Sequence, residues 1–127
     1  MIVEDNNELA DLYKTRLELL GYKCFVAYEG ESGLSLIQNE IPDLVLLDIM
    51  LPKMSGSQIL QIMRESEWGK NIKVLIISNF NEADVPAKLR DWGIEGYLVK
   101  ANLVNDDLDR HVEKILKLAT PPAPAPA

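Results

Sequence analysis

Leu44-Val45-Leu46-Leu47 is the feature that most constrains this chain. Four apolar residues in a row, with no polar alternation, read as a strand buried on both faces, the kind found in parallel sheets. Lys73 to Ser78 repeats the pattern with β-branched residues, and Gly96-Tyr97-Leu98-Val99-Lys100 gives another strand. Met1-Ile2-Val3 and Lys23 to Ala27 read as two shorter ones.

Helical spacing fills the intervals. Asn7 is placed to cap a first helix with apolar residues Leu9, Leu12, Tyr13, Leu17 and Leu20, stopped by Gly21. A second helix is expected at about Glu31 to Asn39, and a third around Ile59, Leu60, Ile62 and Met63. A fourth ends near Trp92-Gly93, and Leu108, Val112, Ile115 and Leu118 mark a fifth. Five strands alternating with helices demand right-handed crossovers and a parallel sheet covered on both faces. The fold class is therefore α/β, a doubly wound five-stranded parallel sheet.

The 127 residues suit one domain with a proper core, placed at 1–118. Thr120 to Ala127, rich in Pro and Ala, reads as a semi-extended tail or linker stub, giving a second segment at 119–127. Cys24 lies in an apolar stretch and is expected to be a small buried hydrophobe, not a reactive thiol. A net charge of −7 argues against a nucleic-acid surface. No apolar run has transmembrane length and no secretory leader is visible, so a cytoplasmic protein without a membrane segment is expected.

Polar residues stand at the carboxyl ends of four strands: Glu4-Asp5, Asp48, Ser78 and Lys100. Each alone has an ordinary explanation. The acidic pair precedes a helix N-terminus, where acids are favoured; a lysine ending a strand is commonly solvated; Ser78 alone is a turn residue. In a parallel sheet, however, all four ends share one edge, where open α/β sheets place their chemistry. Three carboxylates there repel one another. A hard cation such as Mg²⁺ and the Lys100 ammonium relieve that repulsion. Carboxylate, metal, lysine and hydroxyl together suit phosphoryl transfer onto an oxygen nucleophile, with Asp48 as acceptor.

Ile2-Val3-Glu4-Asp5-Asn6, then Asp43 through Asp48 to Gly56, then Val74 to Ser78, then Gly96 to Lys100 resemble the receiver domain of bacterial two-component response regulators. The resemblance covers about residues 1–118. It implies strand order 2-1-3-4-5 in a flavodoxin-like or CheY-like three-layer sandwich. Asp48 then accepts a phosphoryl group from a histidine kinase or a His-containing phosphotransfer protein. The same resemblance implies Mg²⁺ on Asp5, Asp48 and the Met50 backbone carbonyl, with Glu4 acting through water. Ser78 and Lys100 hold the phosphoryl oxygens, and Tyr97 swings inward when Ser78 is drawn to the phosphate. The face built from the fourth helix, fifth strand and fifth helix is then read by a downstream protein target, a phosphorylation-dependent homodimer included. The chain is then a signalling phosphoacceptor and not an enzyme acting on other substrates.

Several positions depart from the usual pattern. Asn79 stands where Ala or Gly is common, and narrows access to the acceptor or adds a hydrogen bond. Ala101 follows Lys100 where proline is common; a trans bond is expected, a retained cis bond being the alternative. The first strand begins at Met1, where receivers carry a few more residues. Pro86 belongs in a first helical turn, which delays the fourth helix to near Asp84 and lengthens the loop Asn79 to Ala83. Met50 and Phe80 are apolar and cannot orient a water, so a long-lived phosphoaspartate is expected.

Two other readings compete. A phosphatase of the haloacid dehalogenase type needs a second acid two residues past the nucleophile, where this chain has Met50. A degenerate receiver loses the acid pair, the acceptor or the lysine, and all are present. His111, alone of its kind and among charged residues, is expected to be solvated. Gly30-Glu31-Ser32-Gly33 lacks the Lys-Ser/Thr of a phosphate loop.

Overall fold

The computed structural model describes residues 1–79, 89, 91–100 and 107–119. Five parallel strands form one sheet: β1 Ile2–Val3, β2 Val26–Ala27, β3 Leu44–Asp48, β4 Lys73–Ser78 and β5 Gly96–Val99. Their order is β2-β1-β3-β4-β5, the doubly wound arrangement. Four helices are described: α1 Asn7–Leu19, α2 Gly30–Glu40, α3 Gly56–Glu65 and α4 Asp107–Ala119. The helix expected before Trp92-Gly93 lies outside the described residues, apart from Leu89 and Asp91. So do Phe80, the Asn79–Ala83 loop beyond its first residue, the start at Pro86, the Lys100–Ala101 peptide and the tail.

The apolar runs lack alternation because both faces of the sheet are covered. Val3, Val45, Leu47, Val74 and Ile76 point to one face, packed with Ile37 of α2 and Ile59, Leu60 and Met63 of α3. Ile2, Leu44, Leu46, Leu75, Ile77 and Leu98 point to the other, packed with Tyr13 and Leu17 of α1 and Val112 and Ile115 of α4. Arg16 of α1 ties this second layer together through a carboxylate of Asp109 on α4, at 2.9 Å.

Several boundaries differ from the sequence reading. The cap of α1 is Asn6, not Asn7: Asn6 has an extended backbone and its Oδ1 accepts from the Leu9 N–H at 3.1 Å. Only Ala10, Tyr13 and Leu17 of α1 are buried, so the apolar stripe is narrower than expected. Leu12 and Leu20 are exposed. The β2 ladder is two residues long, not five, because β1 offers Ile2 and Val3 as its only register partners. Cys24, outside that ladder, is half-buried, and burial pushes its thiol pKa up. The fifth strand ends at Val99, leaving Lys100 just past it.

Other stops are as the residues dictate. Gly21, at φ 96°, ends α1: its N–H donates to Glu18 and that of Tyr22 donates to Leu17. Together these form a Schellman motif, which satisfies carbonyls the helix leaves open. At the end of α2, Ile41 takes the left-handed backbone instead, at φ 44°. A β-branched residue there is strained.

Candidate functional site

Because every strand runs the same way, the residue that follows each lands on one edge of the sheet. Glu4 follows β1, Asp48 ends β3, Ser78 ends β4 and Lys100 follows β5. Asp48 is in register with Ile77, and Ser78 lies one step further along the neighbouring strand, in register with Val99. The four expected strand ends are therefore brought together. Asp5 is exposed at the rim, as is Asn79. Tyr97 is half-buried on β5, opposite Ile76.

Glu4 and Asp48 are 2% and 3% exposed, and Ser78 is fully buried. Two such carboxylates need compensation. The Lys100 ammonium supplies it, lying 2.8 Å from Asp48 Oδ2 and forming an ion pair with Glu4 Oε1. Burial works against the lysine's charge, and its contacts with Asp48 and Glu4 outweigh that, so its pKa stands above the ordinary value. The remaining oxygens are held by the backbone. Met50 N–H donates to Asp48 Oδ1 at 3.0 Å, and Asn6 N–H donates to Glu4 Oε2 at 3.1 Å. Glu4 Oε1 has the lysine charge beside it but no well-directed hydrogen bond among the described residues.

The loop after Asp48 is locked at several points. Ile49 carbonyl accepts from Leu51 N–H at 3.2 Å and from Gly56 N–H at 2.9 Å, which closes the loop into a ring. Lys53 takes a left-handed backbone, at φ 67°, and Met54 N–H reaches the Pro52 carbonyl at 2.7 Å. Ser55 and Gln58 form a reciprocal capping box that starts α3. Gly56 admits no side chain: a Cβ there would lie 2.2 Å from the Asp48 carbonyl oxygen. Among the described residues no backbone N–H donates to the Met50 carbonyl.

Glu4, Asp5 and Asp48 each offer an oxygen, and these atoms lie within 4.8 Å of one another. The Asp5 pKa is raised by desolvation first, then by hydrogen bonding with Glu4 and by repulsion from its charge. An all-oxygen anionic set of this size, with one buried oxygen short of a directed donor, fits a hard divalent cation.

Some of the surroundings were not visible in sequence. Tyr13 reads there as an ordinary core residue of α1, yet it lines a small space with Glu4 and Asp48. Burial raises its pKa. The capping box has a sequence signal, Ser55-x-x-Gln58 ahead of an apolar run, which the placement of the third helix on its apolar residues does not use. The close approach of Gly56 to Asp48 had no such signal beyond the glycine itself.

The response regulator receiver domain model matches residues 1–113. DivK, a polar-differentiation response regulator of Brucella ovis, is 32% identical over 100 residues, covering 79% of this chain and 81% of DivK. YcbL of Bacillus subtilis strain 168, a transcriptional regulatory protein, is 40% identical over 101 residues, 79% of this chain. The chain thus spans under half of YcbL, at 43% of its length. The response regulator TrrA of Thermotoga maritima, solved in complex with Mg²⁺-BeF, aligns with a TM-score of 0.76 and 29% identity, covering 90% of this chain and 95% of that one. Among the described residues no helix is long and apolar enough to cross a membrane. The match begins at the first residue and runs into α4, so the chain belongs to the response regulator receiver domain family, whose members carry phosphorelay signals.

Proposed function

We propose that Asp48 is the phosphoacceptor of this receiver and takes its phosphoryl group from a histidine kinase or a His-containing phosphotransfer protein in a Mg²⁺-dependent reaction. The observation that carries this is the position of Asp48: buried at a strand end, beside two further carboxylates and 2.8 Å from an ammonium. One Asp48 oxygen forms the new O–P bond while the N–P bond of the donor imidazole breaks. The bonding electrons stay with the imidazole nitrogen. Lys100 turns from the carboxylate pair to the incoming phosphoryl oxygens, and Ser78 donates its hydroxyl to another.

Asp5, Asp48 and the Met50 carbonyl are the residues to hold Mg²⁺. Glu4 contributes through water, since one of its oxygens already accepts from Asn6 N–H and the other faces Lys100. When bound, the cation offsets the negative charge of carboxylates and phosphoryl group as they meet. Met50 is exposed and apolar, which leaves hydrolysis without a side chain to orient water from that position and favours a long-lived phosphoaspartate.

Phosphorylation makes the edge more negative and adds acceptor oxygens. The response passes through Ser78 and Asn79 into the segment after β4, and through Lys100 and Tyr97 toward α4. A protein partner then reads the face formed by the segment before Trp92, β5 and α4. The test is incubation with acetyl phosphate and Mg²⁺, followed by intact mass. One phosphoryl adduct is expected, lost in Asp48→Asn and suppressed by EDTA. An adduct that survives Asp48→Asn, or none with any donor, refutes the reading.

A further inference from the structure

The first turn of α2 packs against the end of β1, just before Glu4, and against the loop that follows Asp48. Gly33 lies under Val3, the residue before Glu4: a Cβ on Gly33 would lie 2.8 Å from Val3 Cγ1. Gly30, one turn earlier, abuts the ring that follows Asp48. A Cβ there would lie 2.5 Å from the Met54 carbonyl oxygen and 2.8 Å from Met54 Cβ.

The neighbour at Gly30 is mainly backbone, which cannot turn aside as a flexible side chain does. Ordinary contact begins near 3.4 Å, so the Met54 carbonyl would have to withdraw by about 0.9 Å. Its freedom to do so locally is small. Met54 N–H is bonded to Pro52, its side chain packs on the core, and the next residue, Ser55, is fixed by the capping box. The next after that is Gly56, which is bonded to Ile49 and already pressed against the Asp48 carbonyl. Displacement at Met54 is therefore transmitted around the ring to the Asp48–Met50 backbone.

We infer that Gly30, where a Cβ would meet Met54 and which lies 18 residues before Asp48, is a positioning residue for the cation site. It acts by letting α2 seat against Met54 and thereby setting the ring that carries the Met50 carbonyl. The inference rests on the reading of Asp5, Asp48 and Met50 as the cation ligands. Mg²⁺ tolerates little departure from octahedral geometry, and disturbing the outer contacts that orient metal ligands typically costs about 10–100-fold in affinity.

The test measures Mg²⁺ binding by calorimetry and stability by urea unfolding in the full chain. Gly30→Ala is expected to weaken Mg²⁺ binding about tenfold or more. Gly69→Ala is the control: its Cβ would meet Met63 backbone at 2.8 Å, at the far end of α3. It is expected to lower stability and leave Mg²⁺ binding unchanged. Should Gly30→Ala fail to fold, Met54→Gly loosens the same contact from the other side and is expected to weaken Mg²⁺ binding several-fold. Wild-type affinity in folded Gly30→Ala, or in Met54→Gly where that variant is the one measured, overturns the inference, as does an equal loss in Gly69→Ala. A wild-type protein that binds no Mg²⁺ overturns the reading of the site, and the inference with it.

Discussion

Replacing Lys100 by methionine keeps the length and apolar stem of the side chain and removes its charge. Glu4 and Asp48 are left as two carboxylates at 2% and 3% exposure, with Asp5 beside them. Removing one partner from a buried ion pair costs about 3–5 kcal/mol. Solvent discounts this little, because the lysine side chain is itself only 11% exposed. The lower end of that range, about 3 kcal/mol, is the working figure at neutral pH. With a urea slope of about 1–3 kcal/mol per molar, the unfolding midpoint should fall by about 1–3 M in EDTA. Adding Glu4→Gln to Lys100→Met removes one of the two stranded charges and their mutual repulsion, and should restore part of the loss. Urea titrations of the three proteins, without divalent cation, decide the matter. A Lys100→Met midpoint equal to wild type refutes the claim that the ammonium holds the carboxylates in place. A double variant no better than the single one refutes the assignment of the cost to Glu4.

Arg64 of α3 donates to four backbone carbonyls, Trp92 at 2.6 Å, Gly93 at 2.8 Å, Gly69 at 3.0 Å and Lys70 at 3.5 Å. Arg64→Ala should destabilise by about 2–3 kcal/mol in urea unfolding, and Arg64→Lys should recover less than half, since a lysine has no fork to span them; full recovery by lysine counts against the geometry. Ile41 is 49% exposed and holds a left-handed backbone that asparagine tolerates better. Ile41→Asn should raise stability by about 1 kcal/mol, and a lowered thermal midpoint refutes the strain argument. Burial raises the Cys24 thiol above its ordinary 9.0, which leaves less thiolate at pH 8 than in a free cysteine. Iodoacetamide should therefore modify Cys24 more slowly than free cysteine at pH 8, with the rate still climbing as pH passes 9; equal rates refute it.

The legible parts of this chain were those governed by local pattern. Leu44 to Leu47 and Val74 to Ile77 announced buried strands because two covered faces leave no polar alternation. Once the strands were parallel, Glu4, Asp48, Ser78 and Lys100 had to share an edge. What the pattern could not supply depended on partners distant in sequence. Lys23 to Phe25 look like strand, yet a strand needs a neighbour, and of this segment Val26 and Ala27 are the residues in register with β1. Leu12 and Leu20 have helical spacing, but among the described residues no apolar surface covers them, and both are exposed. Asn6 and Asn7 are both good caps, and only the Glu4 carboxylate receiving Asn6 N–H and the Asn6 side chain receiving Leu9 N–H distinguish them. The seating of Gly30 on Met54 is a meeting of backbones 24 residues apart, which composition does not encode.

The resting site also bears on how a phosphoryl group could be sensed. Both Asp48 oxygens are already engaged, one by Met50 N–H and one by Lys100. On the proposed reading, attack at phosphorus requires Lys100 to exchange a carboxylate partner for a phosphoryl oxygen. The exchange costs little in gross electrostatics, because the ammonium is charge-paired before and after. What changes is the partner's position: the phosphoryl oxygens stand further from β3 than Asp48 Oδ2 does. Lys100 directly follows β5 and leads through residues 101–106 into α4, so a partner exchange at its ammonium acts on that end of the fold. Glu4 then loses its cation at the moment the edge becomes more negative, and a divalent ion must compensate. On that reading phosphorylation and cation binding are thermodynamically coupled, each favouring the other through the charge that Lys100 shares. Phosphorylated protein should accordingly hold Mg²⁺ more tightly than unphosphorylated protein, and that difference should shrink in Lys100→Met, where no ammonium is left to exchange.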